Sequence, residues 1–233
     1  NPRDKMALYF NSYSTIKIPR PKNYLFPGKI IAKRFYKNNR KNLINYDKSI
    51  VGSIKGVTQP VKIKKNNVFL VLIGNPDEFP VIFDWIKNNF IKFDIKFIFR
   101  FFPGADLKKF DRNFRTLKNY EISKNRSLLD DCKLSKYSIF SNTSAGIETV
   151  NLGLVSIWVQ LNKINISPLD EKERKLFFPS KNKKIFLKNI QKVLKFDDNS
   201  YRKKHKLQFN ISQNIYSKLN TQSFRNLLNE IKL

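Results

Sequence analysis

Of the 233 residues one is a cysteine, Cys132, and one a histidine, His205. A disulfide within the chain and a zinc site built from Cys and His are therefore excluded by arithmetic, and the lone thiol points to a reducing compartment. Cys132 ends the run Leu-Leu-Asp-Asp-Cys, at the close of a short helix, where a thiol reads as inert packing. His205 sits in Arg-Lys-Lys-His-Lys and reads as part of a solvated basic face, so a His-based triad has no support. No Asp-x-Asp pair is present, and the adjacent Asp130 and Asp131 read as a solvated helix face, so no metal site is expected. Long apolar runs are also missing. The longest, 68–73 and 97–102, the second broken by Arg100, fall far short of the roughly 20 residues that span a bilayer, and both read as strands. The opening Asn-Pro-Arg-Asp-Lys has no apolar core of a signal peptide. The expectation is a cytoplasmic chain, or one on the cytoplasmic face of a membrane. Its start at Asn1, with Met6 close behind, suggests the C-terminal part of something longer.

Acidic residues are scarce as well: 18 Asp and Glu stand against 46 Lys and Arg, a formal charge of +28. Such a balance ordinarily suggests nucleic acid, an anionic membrane or anionic substrates. Here the charge is mostly lysine spread along the whole chain, with heavy use of Asn, Ile and Phe, which fits the coding bias of an A+T-rich genome better than a binding stripe. What is plentiful is apolar: 41% hydrophobic and 14% aromatic residues suffice for a real core.

Regular structure begins after Lys65. Residues 1–65, interrupted by Pro19, Pro21, Pro27 and Pro60, read as an irregular arm or connector with a short strand around Ile50 and Val51. Residues 66–200 alternate strand and helix. Strands are expected at 68–73, 93–102, 120–123, 137–141 and 155–160, and helices at 77–90, up to about 117, 127–132 and 144–152. Continuous apolar strands separated by helices predict an α/β fold, a Rossmann-like parallel sheet of about five strands with helices on both faces. Further helices are expected at 169–178, 184–196 and within 201–233, the last forming a C-terminal helical extension.

The stretch Ile139-Phe-Ser-Asn-Thr-Ser-Ala-Gly-Ile-Glu-Thr-Val-Asn-Leu-Gly153 runs a strand into a turn of small residues that opens a helix. Amides at a helix start have no partner within the helix and carry its positive end, so Asn142, Thr143, Ser144, Ala145 and Gly146 form a candidate phosphate turn. Glu148, one turn in, stands where a carboxylate can accept hydrogen bonds from ribose hydroxyls. An ordinary strand-turn-helix with Ser144 as N-cap is the competing reading. Gly74 and Asn75 end the first strand and would line the same crevice. Gly153 reads as a helix C-cap.

These pieces, Leu72-Ile-Gly-Asn-Pro76, Arg100-Phe-Phe-Pro103 and Ser141 to Glu148 with Gly153 behind it, resemble the C-terminal, nucleotide-sugar-binding half of GT-B glycosyltransferases. The resemblance is strongest to bacterial enzymes of surface-carbohydrate biosynthesis (lipopolysaccharide or capsule), and it covers roughly residues 67–161. It implies that Thr143, Ser144 and the backbone of Ala145 and Gly146 face the donor's phosphates, that Glu148 faces its ribose, and that Arg100 is a nearby cation. Phe102 stands where that family often has a histidine, so the histidine's role has no carrier here. The family's second domain, which supplies the acceptor site and usually the general base, has no counterpart in the pattern. No catalytic base is assigned, and Asp106, just beyond a strand end, reads as a solvated N-cap.

The resemblance thus implies metal-independent transfer of a sugar from a nucleotide-sugar, with no further cofactor, to a glycan or lipid-linked acceptor. The Lys-rich face of 184–196 offers contact with an anionic membrane surface, although a helix packed on the sheet with its lysines in water is the favoured account of it. Two alternatives belong to other classes: a basic nucleic-acid-binding protein, disfavoured because the aromatics fall on buried strands, and a sugar-nucleotide epimerase of the same two-domain build.

Overall fold

The computed structural model describes residues 23–39, 47–87, 89–90, 94–108, 110, 114, 119–161, 169–222 and 225. They divide into two compact units, one from the described parts of 1–58 and 210–233, the other from those of 59–209.

The smaller unit holds β1 (Asn23–Phe26), α1 (Lys29–Asn39) and β2 (Asp47–Ile50), the two strands paired in parallel with Phe26 opposite Ile50. An irregular arm was expected across these residues, and the structure corrects that. Pro27 and Gly28 are the turn between strand and helix. Behind them Phe26, Ala32 and Phe35 bury together. The spacing of those residues is helical after the turn, but five lysines and arginines between 29 and 40 mask it. Gly28 is required where it stands, because a Cβ there would overlap the backbone of Asn214 and Ile215.

The larger unit contains β3 (Asn67–Ile73), α2 (Glu78–Lys87), β4 (Ile95–Phe101), β5 (Tyr120–Ile122), α3 (Leu128–Leu134), β6 (Tyr137–Phe140), α4 (Ala145–Asn151), β7 (Val155–Trp158), α5 (Glu171–Arg174) and α6 (Lys183–Leu194). The last helix, α7 (Asp198–Ile215), belongs to this unit through Phe209. All five strands are parallel, in the order β5-β4-β3-β6-β7. The expected sheet is therefore present, and its strands lie within a few residues of the expected positions. The helix expected up to about 117 lies mostly outside the described residues, as does the chain beyond 222. Where one helix was expected at 169–178, α5 has a single turn and passes into a 3-10 turn that ends at Phe178 with φ +49°.

Alternation along the strands decides what each face meets. Phe69, Val71, Phe97, Phe99, Tyr137 and Ile157 point to one side and pack with Phe79, Ile82 and Phe83 of α2 and Phe186, Ile190 and Val193 of α6. The intervening positions face α3 and α4. Among them Ser138 and Ser156 join Thr149 of α4 in a buried hydroxyl cluster at 2.6–3.3 Å. The edge strand β7 is closed by Gln208 of α7, whose amide accepts from the Ser156 N–H and donates to its carbonyl, both at 2.8 Å. That pairing satisfies backbone groups an edge would otherwise leave open.

Candidate functional site

In a sheet of this order, consecutive connections run outward from β3 in one direction and from β6 in the other, leaving a crevice at the carboxyl ends of these two neighbours, where open α/β sheets bind ligands. The turn after β3 is Gly74-Asn75-Pro76 and the turn after β6 is Ser141 to Ser144. The two meet there: a Cβ placed on Gly74 would lie 3.0 Å from Thr143 Cβ and 3.4 Å from the Asn142 carbonyl oxygen. Glycine is what lets the β3 turn come this close.

At the β6 turn, Ser144 adopts helical angles, φ −68° and ψ −21°, and makes no side-chain cap bond to the helix it precedes. The competing reading, in which the Ser144 side chain caps this helix, thus lacks its hydrogen bond. Thr143 Oγ1 instead accepts from the Ala145 N–H at 3.3 Å. Asn142, Thr143, Ser144, Ala145 and Glu148 are all partly exposed. Gly146 is buried, and a Cβ on it would run into the ring of Phe140, so its place is helix-on-strand packing. Gly153, at φ +96°, closes α4 with its N–H donating to the Val150 carbonyl, as a C-cap glycine does.

Sequence reasoning missed one residue that joins the two turns, Glu78. The residue is 3% exposed; its carboxylate Oε2 accepts from the N–H groups of Gly74 (3.0 Å) and Asn75 (3.3 Å), and Oε1 from Asn142 Nδ2 (3.2 Å). The readable signal was Asn75-Pro-Asp-Glu78, a turn of Asn and Pro leading into α2 with an acid three residues after the Asn. Asn75 Oδ1 duly accepts from the Asp77 N–H at 3.2 Å.

Arg100 is not brought into this group by any of its hydrogen bonds. Its guanidinium donates to Asp131 Oδ2 (2.8 Å), the Arg126 carbonyl (2.8 Å) and Ser123 Oγ (3.4 Å). Asp131 is fully buried and also receives Arg126 Nε at 2.7 Å. The solvated face expected for Asp130 and Asp131 is thus half right. Asp130 lies toward solvent with Ser127 and Lys133, while Asp131 points inward because two arginines and Ser123 supply the bonds that a buried carboxylate requires. Asp106 Oδ1 accepts from the Lys108 N–H in an exposed turn. Cys132 is buried, with its thiol pushed up to about 12, chiefly by burial, and is unreactive packing.

His205 departs from expectation. It is 5% exposed on α7, with Nε2 2.9 Å from the Val150 carbonyl. Two cavities of about 440 Å³ open at the opposite, amino end of the sheet, one beside Asn67, Ile95 and Leu194, the other beside Lys64, Cys132 and Gly153. Neither touches the crevice. Among the described residues no three His, Cys, Asp or Glu side chains gather as a metal would require, and no helix is long and apolar enough to cross a membrane.

With this topology and crevice in hand, solved structures supply the comparison. A putative UDP-N-acetylglucosamine 2-epimerase from Listeria monocytogenes superimposes with a TM-score of 0.57 at 10% identity, over 86% of this chain and 58% of that one. MnaA of S. aureus, solved with UDP, gives 0.56 at 11% identity over 84% and 56%. The pneumococcal O-GlcNAc transferase GtfA, in complex with UDP and GlcNAc, gives 0.55 at 8% identity over 90% and 45%. The fold is that of one Rossmann-like half of a GT-B protein. The chain spans about half the length of these structures. No protein-family model matches the sequence, and no curated protein matches it.

Proposed function

We propose that this GT-B half binds the nucleoside diphosphate of a nucleotide-sugar and serves as the donor-binding part of a glycosyltransferase. One observation carries the reading: the small-residue turn from Asn142 into α4 stands directly against Gly74 across the β3/β6 crevice. The phosphates would lie at Thr143, Ser144 and the Ala145 amide, and the ribose at Glu148. Departure of a sugar leaves new negative charge on the nucleotide, and oriented amides and hydroxyls stabilise such charge without a metal. Arg100, held by Asp131, would support the neighbouring wall and leave the phosphates to the turn. The acceptor would be a glycan or lipid-linked sugar, and the exposed Lys184, Lys188 and Lys192 of α6 offer a contact for an anionic membrane.

The test is a thermal-shift screen with UDP, GDP, CMP and ADP. A nucleotide at 100 times its Kd stabilises by about 2.7 kcal/mol, or roughly 5–10 °C for a protein of this size. One nucleotide should produce that shift, and Ser144→Ala and Glu148→Ala should reduce it. Silence from all four, with stabilisation by an oligonucleotide, would overturn the proposal.

A further inference from the structure

Glu78 does more than an N-terminal cap requires. An acid three residues after a turn residue such as Asn75 can take that residue's N–H, as a capping-box acid does. This carboxylate also takes the Gly74 N–H, one residue earlier, and the side-chain amide of Asn142 from the other turn. Gly74 and Asn75 are the backbone donors that the first strand-helix turn of a Rossmann fold offers to a ligand's pyrophosphate. In this chain a buried carboxylate of the protein itself already holds them. A second anion at that place would meet occupied donors and a like charge.

We infer that Glu78 is a positioning and specificity-determining residue. It fills the anion position of the β3 turn, ties that turn to Asn142, and so confines phosphate binding to the β6 side of the crevice. The inference rests on the proposed donor site and narrows its ligand. A nucleotide-sugar, whose phosphates can lie wholly on the β6 turn, is accepted. A dinucleotide such as NAD, which needs the first turn for its pyrophosphate, is refused.

The experiment follows backbone amide signals of the full chain by NMR while UDP, inorganic pyrophosphate or NAD is added, with Glu78→Gln and Glu78→Ala in parallel. In the unaltered protein UDP should move Ala145 and Gly146 and leave Gly74 and Asn75 nearly still, and NAD should move none. Glu78→Ala should free the two amides, so that pyrophosphate shifts Gly74 and Asn75 and binds at least fivefold more tightly than to the unaltered protein. Glu78→Gln is isosteric and keeps the fold if the smaller side chain does not. It removes the charge while leaving an acceptor for the amides, so its gain for pyrophosphate should be smaller. Large UDP-induced shifts of Gly74 and Asn75 in the unaltered protein, or no gain for pyrophosphate in either variant, would overturn the inference. If UDP moves no amide at all yet the variants gain pyrophosphate at Gly74 and Asn75, the donor reading fails and the role of Glu78 in blocking the first turn stands.

Discussion

Gly146 and Asp131 show what a single position can hide. In sequence Gly146 is one small residue of a phosphate turn; in the fold a Cβ on it would overlap the Phe140 ring, which is fully buried and has nowhere to go. Gly146→Ala is therefore expected to cost about 1–3 kcal/mol through overpacking, a fall in Tm of roughly 2–12 °C. The same substitution beside Phe140→Leu should cost at least about 1 kcal/mol less, because neighbours that share one space are not additive. Thermal denaturation of the two singles and the double reads this directly. Asp131 could not be read as buried from its neighbours in sequence. Its partners, Arg100, Ser123 and Arg126, meet it only once β4 and β5 lie side by side.

Among the elements, α7 was expected only as helix within 201–233, and which of its faces is buried was not legible. Its inward positions, Tyr201, His205, Gln208, Ser212 and Ile215, recur every three or four residues, but three of them are polar and a search for apolar periodicity passes over them. Two of those three find their reason inside the larger unit, Gln208 on β7 and His205 on the end of α4. Apolar strands β3 and β4 were plain for the opposite reason, since burial on both faces makes them continuous runs. The burial of His205 has a consequence for pH. Desolvation lowers its pKa below the ordinary value of about 6.5, against a smaller raising effect from the Val150 carbonyl. The unfolded chain then binds the proton first. Stability from this group is complete above about pH 6.5 and is lost as pH falls toward the folded value, at no more than about 1.4 kcal/mol per pH unit. His205→Gln can still donate to Val150 but cannot titrate. Between pH 7 and 5 its Tm should therefore fall less than that of the unaltered protein, and parallel curves would show that His205 is not the source of the slope.

Over the whole molecule, the alternation of strand and helix made a parallel sheet readable, whereas the strand order was not, because nothing local says that β6 returns to lie beside β3. That order is what turns two separate sequence fragments, Gly74-Asn75 and Asn142 to Ser144, into facing walls. The formal charge of +28 is the other whole-molecule property, and it makes a clean separation possible between the donor reading and nucleic-acid binding. Diffuse lysines hold a polyanion by releasing its counterions, so contacts to six or more phosphates weaken on the order of a thousandfold from 50 to 200 mM salt. On the donor reading a mononucleotide in the crevice would be held instead by short hydrogen bonds from amides and hydroxyls and would bring few counterions to release. Its affinity should fall less than about tenfold over the same range. Titrating labelled UDP and a labelled oligonucleotide against the protein at both salt concentrations measures the two slopes. A UDP slope as steep as the oligonucleotide's would mean that the nucleotide is held by the general charge, and that the β3/β6 crevice is not where it binds.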